Sequence, residues 1–314
     1  MADTANLTGK NAAMMAPARK SLIDEADTAT GSATAAYQTA YANSIIKAMT
    51  PLLVAKDPNQ RLNAAVVLGG VAAKVSHTNV ADLFAPIAKT MLTDKYWPVA
   101  YWGLKIARYA LADTVVNNNK NAVPGLTAAI IATVKANEKS GEIVEEAYLA
   151  LVLDSLKSDP NYGSFLALTL PSMLDLVDWR TTLFAGGGVP VAPGAEAGPA
   201  NTLPISGFTM LNAPANSPMK TRVLGSLGNF TVVELDAIVA ASGTADPDLI
   251  NGAENLGNAM NAFGQVLPDQ PLAQAGTAIS RLGNNPQPAA AGQCKAALKT
   301  ALQSLGVSLA QSSP

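Results

Sequence analysis

The stretch AKDPNQRLNAAVVLGGVAAKV, residues 55–75, decides the fold. Asp57 stands directly before Pro58. A carboxylate ahead of a helix accepts a first-turn N–H, and proline fits the first helical position because the N–H it lacks has no partner there. Beyond this break Leu62, Ala65, Val66 and Gly69 return at helical spacing. The stretch predicts a helix with a small-residue face, and the pattern recurs. DKYWPVAYWGLKIARYAL, 94–111, aligns Asp94 with Asp57, which superposes Val99 on Leu62 and Trp102 on Ala65. Val99, Trp102, Ile106 and Ala110 form its apolar stripe. Pro98 fits only if it lies in the first turn. SGEIVEEAYLALVLDSL, 140–156, is a third such segment.

Four segments built around a proline alternate with these, the first ahead of them and the last after them: IIKAMTPLLVA (45–55), VADLFAPIAKTML (80–92), NAVPGLTAAIIATV (121–134) and LALTLPSMLDLV (166–177). Their prolines, Pro51, Pro86, Pro124 and Pro171, follow at 35, 38 and 47 residues. Each proline segment with its successor reads as helix, short turn, helix.

On these residues the chain resembles the HEAT-repeat family of α-solenoids, which stacks helical hairpins of roughly 40–47 residues. That family often carries a proline in the first helix, then Asp and a basic residue near the start of the second. Pro51, Asp57 and Arg61 match in one unit. The second unit keeps Pro86 and Asp94 but has Pro98 in the basic position; the third keeps Pro124 but has Glu142 and Glu145. The resemblance covers roughly 42–180. It implies a stack whose second helices line a concave face used for binding. A generic helical bundle is the alternative.

Outside the repeats, residues 1–41 are expected to be helical, with a loose joint at TATGSATAA (28–36), and APARKSLIDEAD (16–27) is placed to cover the first hairpin. Residues 185–218 are dense in Gly, Pro, Ala and Asn and show no helical period. They read as a linker or a loop draped over the helices, with Phe208, Met210 and Leu211 apolar enough to dock. Helices return from 219, at 219–241, 247–267, 271–283 and 290–310, as a separate bundle or a cap on the stack. The expected fold is therefore all-α: an N-terminal cap (1–41), HEAT-like hairpins (42–184), the linker (185–218) and a C-terminal helical region (219–314).

Composition agrees with close helix packing. The chain is 49% hydrophobic but only 5% aromatic, so its apolar content is small side chains. Charged residues make up 14%, against a usual share of about 25%. A net charge of −2 offers no field for a polyanion, so nucleic acid is not an expected partner. No uninterrupted apolar run reaches the ~18–20 residues that cross a bilayer. Low charge and a start, ADTANL, that resembles a processed end point to an extracellular or periplasmic place, with Met1 then belonging to expression.

The inventory for chemistry is thin. Cys294 is the single cysteine and His77 the single histidine, so a zinc site of the usual type lacks ligands. Cys294 shares an Ala-rich stripe with Ala297, Leu298 and Ala301, where a buried thiol is expected. His77 in KVSHTN reads as a surface or capping residue. Glu142, Glu145 and Glu146 fall near one face of a helix start and read as a solvated first turn. DPDLINGAEN (246–255) does not match a calcium loop. Gly69 and Gly70 suit close helix approach, and neither they nor AGGG (185–188) match a phosphate-binding pattern. The sequons at Asn6 and Asn229 carry little information.

One cluster stands out. YWPVAYWGLKIARY, 96–109, concentrates aromatic residues in an aromatic-poor chain. Trp102, Ile106 and Tyr109 are predicted to face the core, while Trp97, Tyr101, Lys105 and Arg108 follow another face at three- and four-residue steps. Aromatics interleaved with basic residues are good recognition material. The sequence thus predicts a non-catalytic binding or scaffold protein, with Trp97, Tyr101, Lys105 and Arg108 engaging a protein or peptide. It predicts no catalytic residue, no cofactor and no metal. A self-associating structural subunit of an extracellular or surface assembly is the alternative, and an enzyme using carboxylates and backbone is third.

Overall fold

Asp57 does start a helix: its Oδ1 accepts the Asn59 N–H at 2.8 Å, and Pro58 occupies the first turn. The computed structural model describes residues 10–32, 34–75, 80–185, 188–206, 217–241 and 245–307. His77, the Asn6 sequon and the segment with Phe208, Met210 and Leu211 lie outside them. Among the described residues the protein is all-α, with no strand. The helices are α1 (Lys10–Ser32), α2 (Ala35–Leu53), α3 (Pro58–Lys74), α4 (Val80–Leu92), α5 (Trp97–Val116), α6 (Val123–Ala136), α7 (Gly141–Val152), α8 (Tyr162–Phe184), α9 (Ala197–Ser206), α10 (Ser217–Ala240), α11 (Pro247–Val266), α12 (Gln270–Ile279) and α13 (Pro288–Ser304). The chain forms two compact units, Met1–Asn137 and Glu138–Pro314. The division separates α6 from α7, which the sequence reads as one hairpin.

In the first unit, α2 with α3 and α4 with α5 are packed pairs joined by short turns. Helices of successive pairs also meet: α2 touches α4, α4 touches α6, and α3 touches α5. Arg61 ties the pairs together. Its Nε reaches Asp94 Oδ2 at 2.6 Å and its Nη2 reaches Asp94 Oδ1 at 3.1 Å, a bidentate geometry that fixes orientation. Asp94 also accepts the Tyr96 N–H at 2.8 Å, so it braces the turn ahead of α5. Neighbouring helices serve each other's ends. Buried Asp113 of α5 accepts the Ala81 N–H of α4 at 3.0 Å, and Thr133 of α6 donates to the Leu92 carbonyl at 3.0 Å. The core between the layers holds Leu68, Phe84, Met91, Leu104, Ile106, Leu111, Leu126 and Ile130, all fully buried. Each contributes about 1.5–3 kcal/mol of burial.

Two local expectations need correction. Pro51, Pro86 and Pro171 lie inside helices, but Pro124 opens α6, so the proline does not hold one place in the hairpin. The helix of α1 runs through to Ser32, into the segment read as a loose joint, and Thr34 caps α2. α1 lies against α2 and α3: Arg19 donates to Asn63 Oδ1 at 2.6 Å, Tyr41 donates to the Leu22 carbonyl at 2.6 Å, and the Ile23 side chain fills the space a Cβ on Gly70 would need.

In the second unit α10 is the central helix and packs on α8, α11 and α13. Its Pro218–Ala240 stretch is long and apolar enough to cross a membrane by length and composition, which a count of uninterrupted apolar residues misses because Arg222 and Glu234 break the run. Within the chain 72% of its most apolar window is buried, as a core helix requires. α11 and α12 approach until their backbones touch: a Cβ at Gly257 would lie 2.6 Å from the Ser280 nitrogen, and Gly276 meets the Asn261 backbone. The Gly/Pro/Ala-rich stretch after α8 is not without helix. Residues 188–196 form a strap, and α9 follows, packed on α7 and α11 through buried Ala200 and Leu203. A ten-residue helix with Pro199 in its first turn has little stability of its own, so tertiary packing makes it. That is why no period announces it.

Candidate functional site

The aromatic segment forms α5, with Pro98 in its first turn as expected. Because α5 packs against α3, α4 and α6, its buried arc is wide and takes in Val99, Ala100, Gly103, Leu104, Ile106, Ala107, Ala110 and Leu111. The arc left over holds all four residues the sequence singles out. Trp97 is 43% exposed; Tyr101, Lys105 and Arg108 are half-buried. The Lys105 amino group sits over the Tyr101 ring at 4.9 Å and over the Trp102 ring at 5.2 Å. Arg108 instead lies over Tyr109 at 5.5 Å. Tyr101 and Lys105 are thus joined, Trp97 stands one turn earlier, and Arg108 belongs to the neighbouring ring. The expectation that Trp102 and Tyr109 enter the core is corrected with Ile106 alone fully buried. Trp102 packs at the flank, on Gly69 of α3, where a Cβ would come within 2.5 Å of its ring.

The second unit contains a charged centre that the sequence does not announce. Arg180 of α8 is 1% exposed and pairs with Glu196 at the start of α9, which is 0% exposed. Arg180 also donates to the Val191 carbonyl at 2.8 Å, and its guanidinium lies 5.4 Å from the Phe184 ring centre and 5.5 Å from that of Phe230. Tyr148 of α7 donates to Glu196 Oε1 at 3.1 Å. Glu234 of α10, also 0% exposed, accepts the Gly194 N–H at 2.8 Å. Gly194 is held at φ +78°, and its missing Cβ matters twice, since a Cβ there would stand 2.7 Å from the Gly252 Cα of α11. Four helices, α7, α8, α10 and α11, therefore meet on the strap.

Burial, then the charge of Glu196, pushes the Glu234 carboxyl up to about 8, against the opposing pull of the Gly194 N–H and Arg180. At neutral pH Glu234 is mostly protonated. Burial first, then Glu196, also holds the Tyr148 phenol well above its ordinary value. One carboxyl oxygen each of Glu196 and Glu234 is buried without a hydrogen-bond partner among the described residues. Such a centre stabilises little in net terms but penalises any state that separates its members.

Beside the strap lies a cleft of about 370 Å³, lined by α7, the strap and the start of α9. Tyr148 lines it; Glu234 does not. No family model, curated protein or solved structure matches the chain.

The remaining candidates sort as follows. Cys294 is buried, and burial raises its thiol. Glu142 and Glu145 are exposed, but Glu146 is buried, so the three do not share a solvated face; α7 turns that position inward with Ile143 and Ala147. Asp246 caps α11 through the Asp248 N–H at 2.8 Å. Among the described residues no group of three His, Cys, Asp or Glu is placed to hold a metal. Arg180, Glu196 and Glu234 escaped the sequence reading because they are far apart in the chain. One signal was available: Glu196 is the single charged residue in 185–218.

Proposed function

We propose that the chain is a non-catalytic helical-repeat binding protein whose first unit is a HEAT-like stack presenting α5 to a protein or peptide. The stacked reading is supported by like-with-like neighbours, α2–α4–α6 and α3–α5, by the Arg61–Asp94 tie between successive pairs, and by α1 lying over α3. The observation that carries the binding reading is the exposed arc of α5, where Trp97 remains 43% exposed beside Tyr101, Lys105 and Arg108. Aromatic rings supply buried area at small entropic cost, and the two cations favour a partner bearing carboxylates. Architecture alone does not supply function, so the arc must be tested directly.

Selection of random displayed peptides on the intact chain should recover sequences with Asp or Glu beside an apolar anchor. K105E/R108E should weaken them about tenfold or more, the worth of a charge-assisted contact. W97A/Y101A should weaken them while leaving the fold intact. Peptides that bind both variants as well as the parent chain would refute the assignment. Concentration-dependent growth in mass by light scattering, abolished by W97A/Y101A, would instead make a second copy of the chain the partner.

A further inference from the structure

The cleft of the second unit has a character distinct from the α5 arc. Leu149 and Val152 of α7 and Pro193 and Ala195 of the strap give it apolar walls, with Tyr148 among them. Leu149 is 53% exposed, a large apolar side chain left in water at its edge. Its volume of about 370 Å³ falls in the range that holds small organic ligands. Its charged lining is of one sign: Glu145, one turn before Leu149, and Asp154, with no Lys, Arg or His among the described lining residues. Asp154 is already engaged, by Lys157 at 3.2 Å and by the Thr202 hydroxyl at 3.0 Å. Glu145 is exposed and has no hydrogen bond or ion pair among the described residues.

We propose that this cleft binds a small organic ammonium, its apolar body against Leu149, Val152 and Pro193 and its charged nitrogen at Glu145, with Asp154 as a weaker second acceptor. An ammonium entering an apolar cleft loses hydration that a carboxylate replaces well. The strap wall is set before binding, because Glu234 holds the Gly194 N–H and Gly194 sits against Gly252. A preformed wall spares the ligand the ordering cost of closing one. One feature opposes a cation: α9 begins at the same cleft, with Gly198 in the lining, and a helix start favours anions. The charge of the ligand is therefore the quantity to test.

The experiment titrates the intact chain at pH 7 with phenethylammonium, with the neutral phenethyl alcohol and with the anionic phenylpropionate, by calorimetry and by amide NMR shifts. The ammonium should bind saturably, at least about tenfold more tightly than either analogue, with shifts centred on 145–154 and 193–198. E145Q, a change at an exposed position, should weaken the ammonium about tenfold and leave the alcohol unchanged. D154N should weaken it less. Equal or tighter binding of the alcohol or of phenylpropionate, no saturable binding of the ammonium, or an E145Q chain that binds it as the parent does would overturn the proposal.

Discussion

Replacing Glu234 by Gln should change how stability depends on pH, and the size of the change follows from its surroundings. The carboxyl is fully buried, and burial with the nearby Glu196 charge raises it from 4.5 to about 8. The folded chain therefore holds this proton more tightly than the unfolded chain does. The stability it contributes is complete below about pH 4.5, declines as pH rises through about 8, and is then lost. Between those limits the decline is about 1.4 kcal/mol per pH unit, or about 4–5 kcal/mol in all. Gln is neutral throughout, and its carbonyl can still accept the Gly194 N–H. E234Q and the parent chain should thus be similar in stability near pH 5. The variant should pull ahead as pH rises and stay ahead by a constant margin above about pH 9. Urea unfolding followed by circular dichroism, at one-unit steps from pH 5 to 9, reads this difference directly, and titrating groups that do not interact with Glu234 cancel in the subtraction. Parallel stability curves for the two chains would refute the reasoning. So would an E234Q chain whose disadvantage is greatest at high pH.

Three further outcomes are expected. R180M should destabilise the second unit by about 3–5 kcal/mol at neutral pH, because Glu196 is left buried without its counter-charge; chemical denaturation measures it, and a loss under about 1 kcal/mol would contradict the expectation. R61A should cost about 2 kcal/mol by removing the bidentate contact to Asp94 and the Ala55 carbonyl contact, with amide exchange accelerated in α3 and at the start of α5. W97A should cost about 0.5 kcal/mol or less, whereas W102A, which empties the contact on Gly69, should cost about 2 kcal/mol. Equal losses for the two tryptophans in thermal melts would contradict the exposed placement of Trp97.

What the sequence made legible was what local chemistry dictates. Asp57–Pro58 and Asp246–Pro247 mark helix starts because capping and proline placement are properties of a few adjacent residues. Gly69 and Gly70 announced close approach, though not that Trp102 and Ile23 would fill the two spaces. The α5 arc was half legible: spacing separated Trp97, Tyr101, Lys105 and Arg108 from Ile106, but a helix packed on three neighbours buries more than one stripe, so Trp102 and Tyr109 moved to its flank. The charged centre was not legible. Arg180 and Glu234 look like ordinary polar positions on long helices, and only tertiary packing brings them to Glu196. Nor could Asp113 be recognised as a cap, because it serves α4 from α5 across a gap of 32 residues.

The most direct test of the stacking proposed for the first unit is a set of spin-label distances, in a C294A background, among exposed positions Ala48 of α2, Thr90 of α4 and Ala132 of α6. Packed helix axes lie about 8–10 Å apart, so a succession places α2 and α6 two steps, about 16–20 Å, from each other. The 48–132 distance should then exceed both 48–90 and 90–132, by about one helix spacing. A 48–132 distance equal to or shorter than 48–90 would mean that the helices close into a bundle, and would contradict the account.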